Sequence, residues 1–215
     1  MMNTDNVDFT PDGVIFDVDG TIWDSTPVVT DAWNRALVDC GYPGVSVTAD
    51  RLKGLFGLPM LEIMNNILPG VAEDEVRRFD KVCIEYEQNA LIDTSGIPYI
   101  NIVETIQKLS RVSRVFIVSN CQSGYIELMM RHLGLEPYVT DKICHGDNGL
   151  CKAENIRLIN EKYDLKHSVY VGDTIMDEKA CREADEFFIY ASYGFGEAEK
   201  PDAVIDEPLQ LLKLF

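Results

Sequence analysis

The chain has 215 residues, 46% hydrophobic and 26% charged, with 15 Gly and 9 Pro; this is ordinary globular usage and excludes disordered, collagen-like and low-complexity classes. Its 19 Lys and Arg stand against 36 Asp and Glu, a formal charge of −17, so no nucleic acid and no membrane surface is expected as a partner, both being polyanionic. A small phosphorylated molecule stays open as a ligand, because a bound divalent cation reverses the field locally.

This length predicts one core with an insertion or small second lobe. Residues 1–13 are polar and acidic, with no basic start or apolar stretch, so no signal peptide is expected. No apolar run approaches the ~18 residues of a membrane span. The cysteines (Cys40, Cys83, Cys121, Cys144, Cys151 and Cys181) form no C-x-x-C pair. They read as free thiols of a reducing compartment, so a cytoplasmic protein is expected and a zinc site is not.

Along the chain, the first short apolar run is Val14-Ile15-Phe16, which ends in Asp17-Val18-Asp19-Gly20-Thr21. Side chains alternate on extended backbone, so Asp17 and Asp19 project together and Gly20 permits a turn. Two such carboxylates repel unless a cation lies between them or one holds a proton. An Asp- and Gly-rich turn is the plainer reading of the same residues.

Residues 25–95 show only helical periodicity. Thr26-Pro27 reads as an N-cap and first-turn proline, and Val29, Trp33, Ala36 and Cys40 share a face that ends at Gly41. Gly54, Gly57 and Pro59 break residues 52–68 into two short helices. Val76, Phe79, Cys83, Tyr86 and Ala90 then form the stripe of an amphipathic helix. The expected organisation is a core of residues 1–24 and 96–215 with a helical insert at 25–95, joined through hinges at 24–26 and 93–98.

Beyond the insert, helices and strands alternate. Ile102, Ile106 and Leu109 mark a helix, and residues 115–118 form an apolar run that ends in Ser119-Asn120. Ile126, Met130 and Leu133 mark the next helix, stopped by Gly134, and residues 142–144 are a weaker strand. Lys152 opens a helix through Ile156, Ile159 and Tyr163. Val169-Tyr170-Val171 runs into Gly172-Asp173, followed by a helix bearing Met176, Ala180 and Ala184. Residues 187–190 and 204–205 are weaker strands, and a Leu-rich helix closes the chain. The pattern predicts an α/β fold with a doubly wound parallel sheet. Ligands of such sheets bind outside the carboxyl ends of the strands, where all three apolar runs deliver acidic or hydroxyl side chains.

Asp173 and Asp177, one helical turn apart, suit an oxygen-ligated ion such as Mg²⁺. Ser119 and Asn120 sit at a strand-to-helix turn able to hold phosphate. Lys152 gains a role if it lies beside the carboxylates. Helix caps and a solvated surface lysine are the ordinary readings of these same residues.

In this order the elements resemble the haloacid dehalogenase-like superfamily, whose four motifs match Asp17-Val18-Asp19-Gly20-Thr21, Ser119, Lys152, and Gly172-Asp173 with Asp177. The resemblance runs from residue 13 to at least residue 191, and the insert is similar to the small helical cap of the branch holding phosphoglycolate phosphatases and β-phosphoglucomutases. It implies a Rossmann-like core and a Mg²⁺-dependent phosphohydrolase acting on a small phosphorylated metabolite. Asp17 would be the nucleophile that becomes an aspartyl-phosphate. Asp19 would protonate the leaving oxygen and then activate water. Mg²⁺ would be held by Asp17, the Asp19 backbone carbonyl and Asp173, with Asp177 assisting, and Ser119, Asn120 and Lys152 would hold phosphate. Dehalogenases of the family lack the second aspartate, so Asp19 favours phosphoryl chemistry.

A sugar-phosphate mutase is the alternative expectation, followed by a non-catalytic Mg²⁺-dependent module. Trp23, Asp24, Arg51, Lys53, Phe56 and Met60 are candidates for setting specificity, and a monomer is expected.

Overall fold

Val14, Ile15 and Phe16 are completely buried, a property only a central strand covered on both faces can satisfy. In the computed structural model, which describes residues 9–215, that strand is β1 (Gly13–Phe16). Residues 1–8, part of the stretch read above as lacking a leader, lie outside the described residues. Two further strands, β2 (Trp23–Asp24) and β3 (Ile97–Pro98), form a small antiparallel pair of their own. The main sheet adds β4 (Arg114–Ser119), β5 (Asp141–Cys144), β6 (Ser168–Gly172), β7 (Phe187–Ala191) and β8 (Ala203–Ile205). Its order is β5-β4-β1-β6-β7-β8 and every pairing is parallel. The expected doubly wound sheet is therefore present.

Alternation along β1 divides the core into two layers. Val14 and Phe16 face one side with Val115, Ile117 and Val171; Ile15 faces the other with Phe116, Val118 and Tyr170. The chain winds outward from β1 through β4 and β5, then returns to β6 on β1's other flank. The switch point thus falls at the carboxyl ends of β1, β4 and β6.

The helical insert comprises α1 (Thr26–Asp39), α2 (Ala49–Lys53), α3 (Met60–Ile67) and α4 (Glu73–Asp93). Two details differ from the sequence reading. Ser25, not Thr26, occupies the N-cap of α1, because Asp24 Oδ1 captures both the Thr26 amide (2.9 Å) and its hydroxyl (2.5 Å). On α4 the buried stripe continues through Glu87 and Leu91, whereas Tyr86 and Ala90 are half-buried. The β2–β3 pair clamps the two ends of the insert, with Trp23 opposite Pro98 and Asp24 opposite Ile97.

The core helices that matter for the site are α5 (Ile102–Leu109), α6 (Tyr125–Leu133), α7 (His145–Asn148), α8 (Lys152–Tyr163) and α9 (Ile175–Ala184); α10 (Leu211–Leu214) closes the chain. On α6 it is Met129, one residue before the expected Met130, that is fully buried. All six cysteines are free thiols. No helix among the described residues is long and apolar enough to cross a membrane.

Candidate active site

Three carboxylates converge at the switch point. Asp17 continues β1, its amide donating to Val171 O at 2.9 Å. Asp173 follows β6, and Asp177 lies in the first turn of α9. One oxygen from each falls within 4.8 Å of the others, and all three residues are buried. Gly20 permits this convergence: its φ is +81°, and a Cβ there would lie 2.0 Å from Asp173 Oδ2.

Among the described residues, Lys152, the first residue of α8, is the cation paired with this cluster. Its Nζ is 2.5 Å from Asp177 Oδ1 and 3.1 Å from Asp17 Oδ1. Burial alone would lower the lysine pKa, but Asp17 and Asp177 outweigh it and hold the ammonium charged. One ammonium does not balance three carboxylates. Burial pushes the Asp17 carboxyl up to about 6, against the pull of Lys152 and with further repulsion from Asp177. Asp173 is raised well above the ordinary range by burial, then by Asp177 and Asp17.

This negative excess is what a divalent cation relieves. The donor set consists of hard oxygens and suits Mg²⁺. Asp17 Oδ1 accepts no hydrogen bond within the protein despite complete enclosure, Lys152 being only an ion-pair neighbour. The residues therefore fit the group. Asp173 offers oxygens already oriented by the Phe195 amide (2.7 Å) and the Thr21 hydroxyl (3.3 Å). Asp177 is more heavily engaged: its Oδ2 accepts from the amide (2.9 Å) and hydroxyl (2.7 Å) of Thr174 and from the Asp173 amide (3.2 Å). It acts first as the cap of α9 and as the partner of Lys152.

The Asp19 carboxyl is not part of this cluster. Its Oδ1 accepts from the Ser25 hydroxyl at 2.7 Å, and the Tyr125 hydroxyl lies 2.7 Å from both Asp19 Oδ1 and Ser25 Oγ. Burial pushes Asp19 up to about 7, although the Ser25 and Tyr125 hydrogen bonds pull it down. Near neutral pH this carboxyl exists in both protonation states, the condition for moving a proton in either direction.

A narrow cavity joins Asp17 and Asp19 to the insert. Ser119 and Asn120 line it from the end of β4; Trp33, Phe56, Met60 and Glu87 line it from above. It holds about 30 Å³ of free space, room for a water or two, so the insert is in a closed position. Asn120 is part of that closure: its amide nitrogen donates to Gly57 O at 2.7 Å. Lys152 reaches Asp17 from the side rather than lining this cavity.

Of the six specificity candidates, Phe56 and Met60 face the cavity. Trp23 is fully buried, with its ring edge-on to Tyr125 at 5.7 Å. Asp24 pairs with Lys53 at 2.9 Å, and Arg51 donates to Asn66 O. Two site residues escaped the sequence reading. Tyr125, at the start of α6, carried no motif signal. Glu87 is not on the stripe read from the sequence; it stands four residues after Cys83, a spacing compatible with burial, but a charged residue there reads as solvated.

A family model for haloacid dehalogenase-like hydrolases matches residues 14–191. Among solved structures, a haloacid dehalogenase-like family hydrolase from Streptococcus pneumoniae superposes with a TM-score of 0.82 at 20% identity, covering 94% of this chain and 96% of that one. A predicted phosphoglycolate phosphatase from Haemophilus somnus gives 0.81 at 20% identity, covering 94% and 97%. A predicted phosphatase from Clostridium acetobutylicum gives 0.79 at 19%, covering 95% and 98%. At these identities the likeness carries the fold. A 2-hydroxy-3-keto-5-methylthiopentenyl-1-phosphate phosphatase from Bacillus cytotoxicus is 38% identical over 52 residues, which is 24% of this chain and 23% of that protein.

Proposed function

The chain belongs to the haloacid dehalogenase-like hydrolases, and from that premise we propose that it is a Mg²⁺-dependent phosphohydrolase of a small phosphomonoester. The convergence of Asp17, Asp173 and Asp177 at the sheet's switch point, with Lys152 paired to Asp17 and Asp177, carries this reading. Asp17, Asp173 and the backbone carbonyl of Asp19 would hold the ion, with Asp177 assisting. Bound Mg²⁺ would mask charge on the phosphate, so that an anionic nucleophile can approach it.

The Asp17 carboxylate attacks phosphorus, and the bond from phosphorus to the leaving oxygen breaks. Asp19 gives its proton to that oxygen. The ionised Asp19 then takes a proton from a water that attacks the aspartyl-phosphate, restoring Asp17 and releasing phosphate. Ser119 and Lys152 hold phosphate oxygens, and Asn120 assists once its tie to Gly57 opens. In this reading residues 1–24 and 96–215 form the catalytic core and 25–95 a cap that must lift to admit substrate. The protein would act as a monomer in the cytoplasm.

Phosphate release from an aryl phosphate with Mg²⁺, abolished by chelator, tests the reading; no release from any phosphomonoester overturns it. The Asn120–Gly57 tie, which holds the insert down over Asp17 and Asp19, suits a second reading as a sugar-phosphate mutase, in which the insert shields the aspartyl-phosphate from bulk water. Interconversion of sugar phosphates that requires a bisphosphate primer would select it.

A further inference from the structure

Glu87 is a buried carboxyl group that the chemistry above does not use. It lies on α4, is only 3% exposed, and lines the same cavity as Asp17 and Asp19. Its Oε2 accepts from Trp33 Nε1 at 2.8 Å and its Oε1 from Gln122 Nε2 at 2.6 Å. Each oxygen of the ionised carboxyl has two acceptor sites, so one remains on each; when Glu87 holds a proton, its carbonyl oxygen still keeps one.

The rest of the wall is chiefly apolar, with Trp33, Phe56, Leu58, Met60 and Ile63. Among the described residues lining this cavity there is no Lys or Arg. The nearby cations are engaged elsewhere: Lys152 with Asp17 and Asp177, and Lys53 with Asp24.

We infer that Glu87 selects the leaving group: the phosphomonoester carries a hydroxyl or ammonium donor that Glu87 accepts, and no carboxylate. This rests on the phosphohydrolase reading and deepens it. A carboxylated alcohol would bury a negative charge beside Asp17, Asp19 and Glu87 with no Lys or Arg on the cavity wall to meet it, a steep penalty. A proton on Glu87 would let it donate to such a carboxylate, but the charge would still be unpaired. A hydroxyl or ammonium instead uses the free acceptor sites of Glu87 while its carbon frame rests on Phe56 and Met60.

The test compares glycerol 3-phosphate, phosphoethanolamine and 3-phosphoglycerate, with an aryl phosphate as reference. 3-Phosphoglycerate is close in size to glycerol phosphate but ends in a carboxylate. We expect kcat/KM for glycerol phosphate or phosphoethanolamine to exceed that for 3-phosphoglycerate by at least about a hundredfold; whichever leads separates a hydroxyl from an ammonium donor. In Glu87→Gln this ratio should shrink by roughly tenfold or more, chiefly through a higher KM for the donor substrate. Gln122 can flip its amide to meet the new one, so the packing is preserved. A purely structural Glu87 would lower both rates together and leave the ratio unchanged, which overturns the assignment. Wild-type enzyme that turns over the aryl phosphate yet accepts 3-phosphoglycerate as well as glycerol phosphate also overturns it, whether or not the variant folds. Wild-type enzyme inert toward every phosphomonoester, the aryl phosphate included, overturns the phosphohydrolase reading instead, and this inference with it.

Discussion

The amide of Phe195 donates to Asp173 Oδ2 at 2.7 Å, while the ring of Phe195 lies 6.3 Å from that of Phe56 in the insert and 5.3 Å from Lys53 Nζ. One residue thus touches both the acidic cluster and the closed insert. Phe195→Ala keeps the amide and removes the ring. An aromatic pair contributes about 0.5–1.5 kcal/mol, so amide hydrogen exchange across residues 54–60 should quicken roughly two- to tenfold. The Mg²⁺-induced rise in Tm should persist. Unchanged exchange would show that the ring does not help hold the insert closed.

Asp17→Asn should lower turnover by at least ~10⁴, because the residue acts at the reacting atom. Asn matches its volume and removes a charge from an enclosed site, so the thermal melt without Mg²⁺ should not fall. Acid-quenched phosphoprotein should be detectable in the wild type and absent from the variant. Retained turnover would remove the covalent route.

Asp173→Asn should leave the protein folded but blunt its response to Mg²⁺. A ligand at a hundred times its Kd stabilises the native state by about 2.7 kcal/mol, and the variant should lose most of that gain at the same concentration. Melting curves across a Mg²⁺ titration measure it. Identical titrations would take Asp173 out of the ligand set.

Lys152→Ala leaves Asp17 and Asp177 buried without their counter-charge. Removing one partner of a buried ion pair costs about 3–5 kcal/mol, so urea unfolding in chelator should shift by an amount of this order. Mg²⁺ should restore part of the loss. A variant as stable as the wild type would show that the carboxylates shed their charge instead.

Glu87 makes stability fall as pH rises. Burial pushes its carboxyl from an ordinary 4.5 up to about 8, the carboxylates of Asp19 and Asp80 adding to the rise against the hydrogen bonds from Gln122 and Trp33. The folded state therefore binds the proton more tightly than the unfolded chain. The stabilisation is complete below about pH 4.5, declines by at most ~1.4 kcal/mol per unit, and is gone above about pH 8. In chelator, Glu87→Gln should flatten the unfolding free energy across this window. An equal slope in both proteins would show that Glu87 titrates as an ordinary carboxylate.

The main sheet was legible because its central strands are covered on both faces. Val14-Ile15-Phe16 and Val169-Tyr170-Val171 must be apolar throughout, and such runs stand out in any sequence. The β2–β3 pair was not legible, since two-residue strands more than seventy positions apart leave no periodicity to read. Asp17, Asp173 and Lys152 were legible as chemistry because each sits where an apolar run or a helix begins or ends. The extent of Asp177's engagement was not, because its capping bonds and its contact with Lys152 depend on how α8 packs against α9.

By itself, then, the order of residues determined the sheet, the helical insert, and the acids and lysine available at the strand ends, because local periodicity and turn chemistry act over a few positions. Only the tertiary structure decided that Asp19 turns toward Ser25 and Tyr125, and that Glu87 is buried. The donors that make Glu87's burial tolerable, Trp33 and Gln122, lie 54 and 35 residues away in the chain. A charge is kept out of water only by partners that folding brings to it, and no local pattern encodes them.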